Sequence, residues 1–281
     1  MRSPGIQNRF VAGWNWFWLT GYYVWSKLRD EKVSLDPEMK DVLLTLLKPL
    51  KPMQVVGIGK IRVGESRDGG YVMLDDFAGI AAAYSFGIGS DVSWDEALAA
   101  RGIPVFQFDH TIAGPPLPND LFHFHPIRLG IEPGAGPLTD TLLHLVETNS
   151  AAGDDLLLKV DIEGDEWEVF AQVRPEILTT FRQIVCEFHG FHQISDSRWA
   201  ARATRAFAHL TSHHQVIHLH RNSIMPWVVA DGLEVPMVME ITFARKASYQ
   251  FSETSEPFPG PLDKSSSRFF PDQPLDYLRQ L

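Results

Sequence analysis

Four carboxylates fall within six positions of the stretch KVDIEGDEW, Lys159 to Trp167: Asp161, Glu163, Asp165 and Glu166. The apolar run LLL precedes them and EVF follows, so the charge arrives where a buried strand must end. Such a crowd is either a solvated turn or a site for a cation, whether a metal ion or a sulfonium. Two later apolar runs also end in polar residues, FRQIVCEFHG in Glu187 and His189, and HQVIHLHRNS in His218, His220 and Asn222. Side chains two apart share one face of a strand, so Glu187 and His189 face the same way, as do His218 and His220. If these strands lie parallel, Asp161, Glu187 and His189 meet at one edge. That set can hold a divalent ion, Mg or Mn, through oxygen and imidazole ligands. It can equally work as a general-base site, with His189 poised near neutral pH as first candidate base and Asp161 second, as its orienter or as a metal ligand with Glu187. The structural alternative pairs Glu187 with a buried base, Lys159 or Arg182, and leaves the histidines to satisfy backbone groups. Glu163 is expected to support the loop beside Gly164, with His220 and Asn222 as accessory site residues. Asp165 and Glu166 are expected at a helix start, where acids complement exposed N–H groups and need no catalytic role.

A second constellation lies upstream. IAAAYSFGIGSD reads as a buried strand running into a glycine loop, in which Gly87 takes the tight turn and Gly89 lets a ligand approach the backbone. Asp109 lies twenty residues beyond Gly89, at the end of the next strand, where an acid accepts hydrogen bonds from ribose hydroxyls. Together these point to an adenosine-type cofactor. A dinucleotide loop wants a third glycine where this chain has Val92, and Asp91 would set a negative charge near a pyrophosphate. A sulfonium suits that acid better, which favours S-adenosylmethionine over NAD. The turn Asp68, Gly69, Gly70, Tyr71 is a further loop that only glycines permit. GIGK at 57–60 has no helical pattern after it and is set aside as a phosphate loop.

The elements needed to position these residues follow from hydrophobic periodicity. From Ile80 onward, near-continuous apolar runs alternate with helical patterns, the signature of a parallel sheet covered on both faces. The last two strands, HQVIHLHRNS and PMVMEITFARK, are joined without an obligatory helix, which suits antiparallel pairing. SLDPEMKDVLLTLLKPL predicts a helix capped by Asp36, and MQVVGIGKIRVGE alternates like one strand. The expected organisation is an aromatic arm over 1–35, an α/β domain over 36–248, and a Ser- and Pro-rich tail over 249–281.

The 281 residues are 44% hydrophobic with a formal net charge of −10. A chain this acidic is a poor partner for nucleic acid. Its single cysteine, Cys186, rules out an internal disulfide and suits a reducing compartment, the cytoplasm. Phe10 to Ser26 carries no charge and holds four of the eight tryptophans. It is too short and too broken for a span, and suits either docking on the domain or a second copy, or peripheral contact at the inner face of a membrane.

The segments RVGESRDGGYVML, YSFGIGSDVSWDEALAARG, FQFDH, LLLKVDIEGDEWEVF, IVCEFHGF, VIHLHRNS and VPMVMEITFARK resemble, in that order, the FkbM-like methyltransferases, in the branch with DGGY and K-x-D-x-E-G-x-E motifs. The resemblance covers about Arg62 to Lys246. It implies a Rossmann-like methyltransferase fold with a seven-stranded sheet whose last strand is antiparallel. It also implies S-adenosylmethionine as methyl donor and, as acceptor, a hydroxyl on a sugar, glycan or natural product. By position it gives Gly87, Gly89 and Asp109 to the cofactor, the Asp68–Tyr71 turn to its cover, and Asp161 to the meeting point of donor and acceptor. Two rival classes stand beside it. One is a nucleotide-dependent oxidoreductase, and the other is a non-catalytic membrane-associated adaptor that keeps the fold.

Overall fold

The computed structural model describes residues 32–280 apart from 137, 268 and 269. Its central sheet has seven strands: β1 (Ile80–Phe86), β2 (Val105–Phe108), β3 (Phe122–His125), β4 (Asp155–Val160), β5 (Phe181–His189), β6 (His214–Arg221) and β7 (Val238–Arg245). They lie in the order β6-β7-β5-β4-β1-β2-β3. All neighbours pair parallel except β7, which runs antiparallel to both β5 and β6. The chain moves outward from β1 to β3, then returns to β4 on the other side. The order therefore reverses between β1 and β4, and the crevice outside their carboxyl ends is where ligands bind in open α/β sheets.

Alternation along the strands sorts side chains into two cores. On one face Phe86, Leu158, Val160, Phe188 and Ile241 pack against α1 (Met39–Leu47), α3 (Leu142–Asn149), α4 (Glu166–Gln172) and α6 (Ser197–His213). On the other, Ala83, Val105, Leu157 and Val185 pack against α2 (Ser93–Ala99) and the hairpin of Lys60–Val63 with Tyr71–Leu74. A four-residue α5 (Pro175–Leu178) precedes β5. The result is an α/β sheet flanked by helices, compatible with a Rossmann-like fold. Asp161, Glu187 and His189 continue the phase of Leu157 and Val185, so all three emerge on the α2 side.

Several expectations are refined. The stretch from Met53 is two short strands, Met53–Val55 and Lys60–Val63, because the chain turns at Gly57 with φ 81°. LFHFHPIRLG likewise breaks at Pro126, which has no N–H for the ladder. Phe122–His125 stays in the sheet, and Arg128–Gly130 pairs with Thr139–Thr141. Asp36 does not cap α1 through its side chain; its carbonyl accepts from the Met39 N–H. Most of the aromatic arm, including residues 10–26, lies outside the described residues. Lys32–Ser34 pairs parallel with Trp227–Val229 in the β6–β7 connection. No helix among the described residues is long and apolar enough to cross a membrane.

The segment expected as a tail is built into the domain. Phe251–Glu253 pairs antiparallel with Met53–Val55, and Phe258, Leu275 and Leu278 are at most 1% exposed within the larger core.

Candidate functional site

The crevice is closed at its base by backbone contact. Gly87 N–H donates to the Phe108 carbonyl (3.0 Å) and Asp161 N–H to the Phe86 carbonyl (3.1 Å), joining the ends of β1, β2 and β4. Gly87 has φ 75°, and an added Cβ would stand 1.6 Å from the Asp161 carbonyl oxygen. Gly89, at φ 49°, would put its Cβ into open space. Alanine at Gly87 is thus expected to destabilise by more than about 3 kcal/mol, since a left-handed strain and a backbone clash coincide. Alanine at Gly89 carries only the strain, about 1–2 kcal/mol. Urea unfolding of both variants checks the contrast.

Gly89 N–H donates to Asp109 Oδ2 (2.9 Å), while Asp109 Oδ1 accepts from the Thr111 N–H (2.7 Å) and hydroxyl (2.6 Å). Asp109, at the end of β2, is held against the glycine loop. The DGGY turn docks on the same loop: a Cβ on Gly69 would lie 2.4 Å from Asp91 Oδ2, and the Ser93 hydroxyl donates to the Gly69 carbonyl (3.4 Å). Asp91 itself accepts from the Ser93 N–H (2.7 Å) at the start of α2. Between these parts lies a cavity of about 480 Å³, lined by Asp68, Gly89, Asp109, Asp161 and Glu163 among others.

Beside the cavity, Asp161, Glu187 and His189 each offer one ligand atom, all within 4.8 Å of one another. Each is braced. Tyr71 Oη donates to Asp161 Oδ2 (3.4 Å) and Asn222 Nδ2 to Glu187 Oε1 (2.8 Å). His189 Nδ1 lies 2.6 Å from Glu166 Oε1, and His189 Nε2 lies 3.6 Å from Glu163 Oε2. The alternative partners of Glu187 are engaged elsewhere. Lys159 Nζ donates to the Gly87 carbonyl, and Arg182 pairs with Asp155 and Asp76.

Charge is concentrated here. Burial, then the charge of Asp161, pushes Glu187 well above the carboxylate range; His189 opposes this, and Glu240 and Asp68 add to it. Burial alone would lower His189, but the hydrogen bond of Glu166 and the charges of Glu187, Glu166 and Asp161 outweigh it and raise the ring. Glu163, exposed at the mouth of the site, adopts a left-handed φ of 58°. Non-glycine residues held there cluster at functional sites.

Asp68 stands at the rim, and desolvation followed by Glu240, Asp161, Asp91 and Glu163 raises its carboxyl to about 6. The sign follows. Its stability contribution is full below its ordinary value of 3.8 and is lost as pH rises through about 6. A cation bound nearby gains in the opposite sense, since the carboxyl ionises over that range. If the cavity takes a sulfonium ligand, its affinity is expected to rise from pH 5 to pH 7, and Asp68→Asn to flatten the rise; calorimetry at several pH values measures it.

His220, expected beside the triad, serves a neighbouring acid instead. Glu187 pairs in register with Glu240, and Glu240 with His220. His220 Nδ1 lies 2.9 Å from Glu240 Oε2, and its Nε2 lies 3.2 Å from Asp272 Oδ1. Burial opposes it, yet Glu240 and Asp272 drive His220 up to about 10. Glu240 was missed in the sequence, although a lone acid inside VMEITF demands a buried partner. Glu166 was passed over as a helix-start acid. Only its position four residues before Phe170, on the buried side of α4, marks it as inward. Asp165 does fit the helix-start role, pairing with Arg128 at the surface.

No protein-family model and no curated protein matches the chain.

Proposed function

We propose that the chain is an S-adenosylmethionine-dependent O-methyltransferase of the FkbM-like kind, acting on a hydroxyl of an uncharged sugar, glycan or natural product. The observation that carries this reading is the convergence of Asp161, Glu187 and His189 within 4.8 Å beside the glycine-loop cavity. The cavity volume, about 480 Å³, lies in the range of small-molecule sites. Its walls suit the donor: Gly89 leaves room at the backbone, Asp109 beside the glycine loop is the acceptor we assign to the ribose hydroxyls, and the carboxylates of Asp68, Asp161 and Glu163 favour a cation over a pyrophosphate. When bound, S-adenosylmethionine supplies an electrophilic methyl group. Asp161, Glu187 and His189 have the hard-oxygen and imidazole character that fits Mg or Mn, and an ion there lowers the pKa of an alcohol placed against it.

The chain's own residues supply positioning and proton handling. Asp161 belongs to both the cavity and the triad, so it orients the acceptor hydroxyl and holds its proton. Asn222 keeps Glu187 turned toward the triad, and Tyr71, beside the DGGY turn's glycines, donates a hydrogen bond to Asp161. Carboxylate walls accept hydrogen bonds from hydroxyl donors and repel phosphates and carboxylates, which favours a neutral polyol acceptor. Much of the acceleration then comes from holding donor and acceptor in line in a dry site.

The test is calorimetry with S-adenosylmethionine and with NADH, followed by transfer of a radiolabelled methyl group to a panel of neutral glycosides. NADH binding without S-adenosylmethionine binding sinks the proposal in favour of an oxidoreductase. Transfer that survives exhaustive EDTA, with no metal found by elemental analysis, removes the ion but leaves the methyltransferase.

A further inference from the structure

We infer that Glu166 is a positioning residue that fixes the ring of His189 so that Nε2, and not Nδ1, faces Asp161 and Glu187. The inference rests on reading these three residues as a divalent site. Glu166 opens α4 and is 0% exposed. Its Oε1 accepts from both the His189 ring Nδ1–H (2.6 Å) and the His189 backbone N–H (2.8 Å). Its Oε2 accepts from the Gly164 N–H (2.7 Å), and the adjacent Trp167 Nε1 donates to the His189 carbonyl (2.5 Å). One buried carboxylate thus ties together the Asp161–Gly164 loop, the end of β5 and one face of the imidazole. Rotation about the His189 side chain would strand the carboxylate without its ring partner, in a place water does not reach.

The consequence concerns tautomer as well as direction. A ring that donates from Nδ1 has only Nε2 left as a lone-pair donor. A buried carboxylate behind a metal-binding histidine fixes both the tautomer and the ring, and its loss typically costs 10- to 100-fold in metal affinity. Glu163, whose side chain is 85% exposed, stands 3.6 Å from Nε2 and is free to swing into solvent when an ion arrives.

The experiment uses Mn2+ as probe on the full chain, with affinity read by electron paramagnetic resonance of the free ion. Glu166→Gln is expected to weaken Mn2+ binding about 10- to 100-fold, while the affinity for S-adenosylmethionine changes less than about twofold. Glu166→Asp keeps the charge and is expected to lose less than the Gln variant. Equal losses in both would indicate disturbed packing alone and overturn the inference, as would unchanged Mn2+ affinity in Glu166→Gln. In parallel, nitrogen NMR of the wild type, with His189 assigned by its absence in His189→Gln, should show a protonated Nδ1 without metal and a response to Mg2+ at Nε2. If the wild type binds no divalent ion, the ion reading fails on its own. The Nδ1 signal still decides the inference, and an Nδ1 without its proton overturns it.

Discussion

On the proposed methyltransferase reading, replacing Asp161 with Asn should lower methyl transfer by about 10^3-fold, within the 10^2 to 10^4 range for a lost proton-handling group, while leaving the fold at least as stable as the parent. The two halves have one cause. Asp161 adds to the upward pressure on Glu187, Glu163, Asp68 and Tyr71, so its removal relieves four neighbouring acids at the cost of one attraction, to His189. An amide of the same shape removes that repulsion and can still accept from Tyr71 Oη, 3.4 Å away in the parent. The same amide is a poor ion ligand and takes no proton from an alcohol. Sites that concentrate like charge for function are commonly relieved, and the protein stabilised, by such a change. Initial rates with a radiolabelled donor and thermal melts separate the two quantities. An unchanged rate would remove Asp161 from the mechanism. A rate that falls together with the melting temperature would attribute the loss to the fold.

The residues that were legible in the sequence are those governed by short-range rules. Strand alternation put Glu187 and His189 on one face, and the twenty-residue step from Gly89 to Asp109 is one loop, one helix and one strand. Both relations survive in the structure because parallel β1, β2, β4 and β5 set them locally. What was not legible depends on pairings out of chain order. β7 inserts between β5 and β6, so Glu240 meets both Glu187 and His220 across antiparallel registers that no local pattern announces. Glu166 has the composition of any helix-start acid, and its burial follows from how α4 rolls onto the end of β5. The C-terminal segment shows no period because its buried residues, Phe258, Leu275 and Leu278, are separated by loops that follow the surface they cover.

That segment carries the largest expected effect on stability. Deleting residues 249–281 should abolish a cooperative fold, and Phe258→Ala alone should cost about 3–5 kcal/mol, the usual range for a fully buried phenylalanine, or about 10 °C in melting temperature for a domain of this size. Phe258 is 0% exposed and lies edge-on to His218, with ring centroids 5.4 Å apart, and Lys60 from the hairpin stands over its other side at 5.6 Å. The segment also delivers two carboxylates to buried histidines, Asp263 to His218 Nε2 at 2.7 Å and Asp272 to His220. Deletion would therefore open apolar surface, leave His218 without its acceptor and leave His220 with Glu240 alone, penalties that add. The pH dependence gives an independent check. His220, raised to about 10, stabilises fully below its ordinary 6.5, and the contribution is lost as pH rises through about 10. Melting temperature should therefore fall between pH 8 and pH 10 in the full chain, and Asp272→Asn should reduce that fall. If the deletion variant instead melts cooperatively near the parent temperature, the segment is an appendage as its composition suggests, and the row Glu187, Glu240, His220 must be held by the sheet alone.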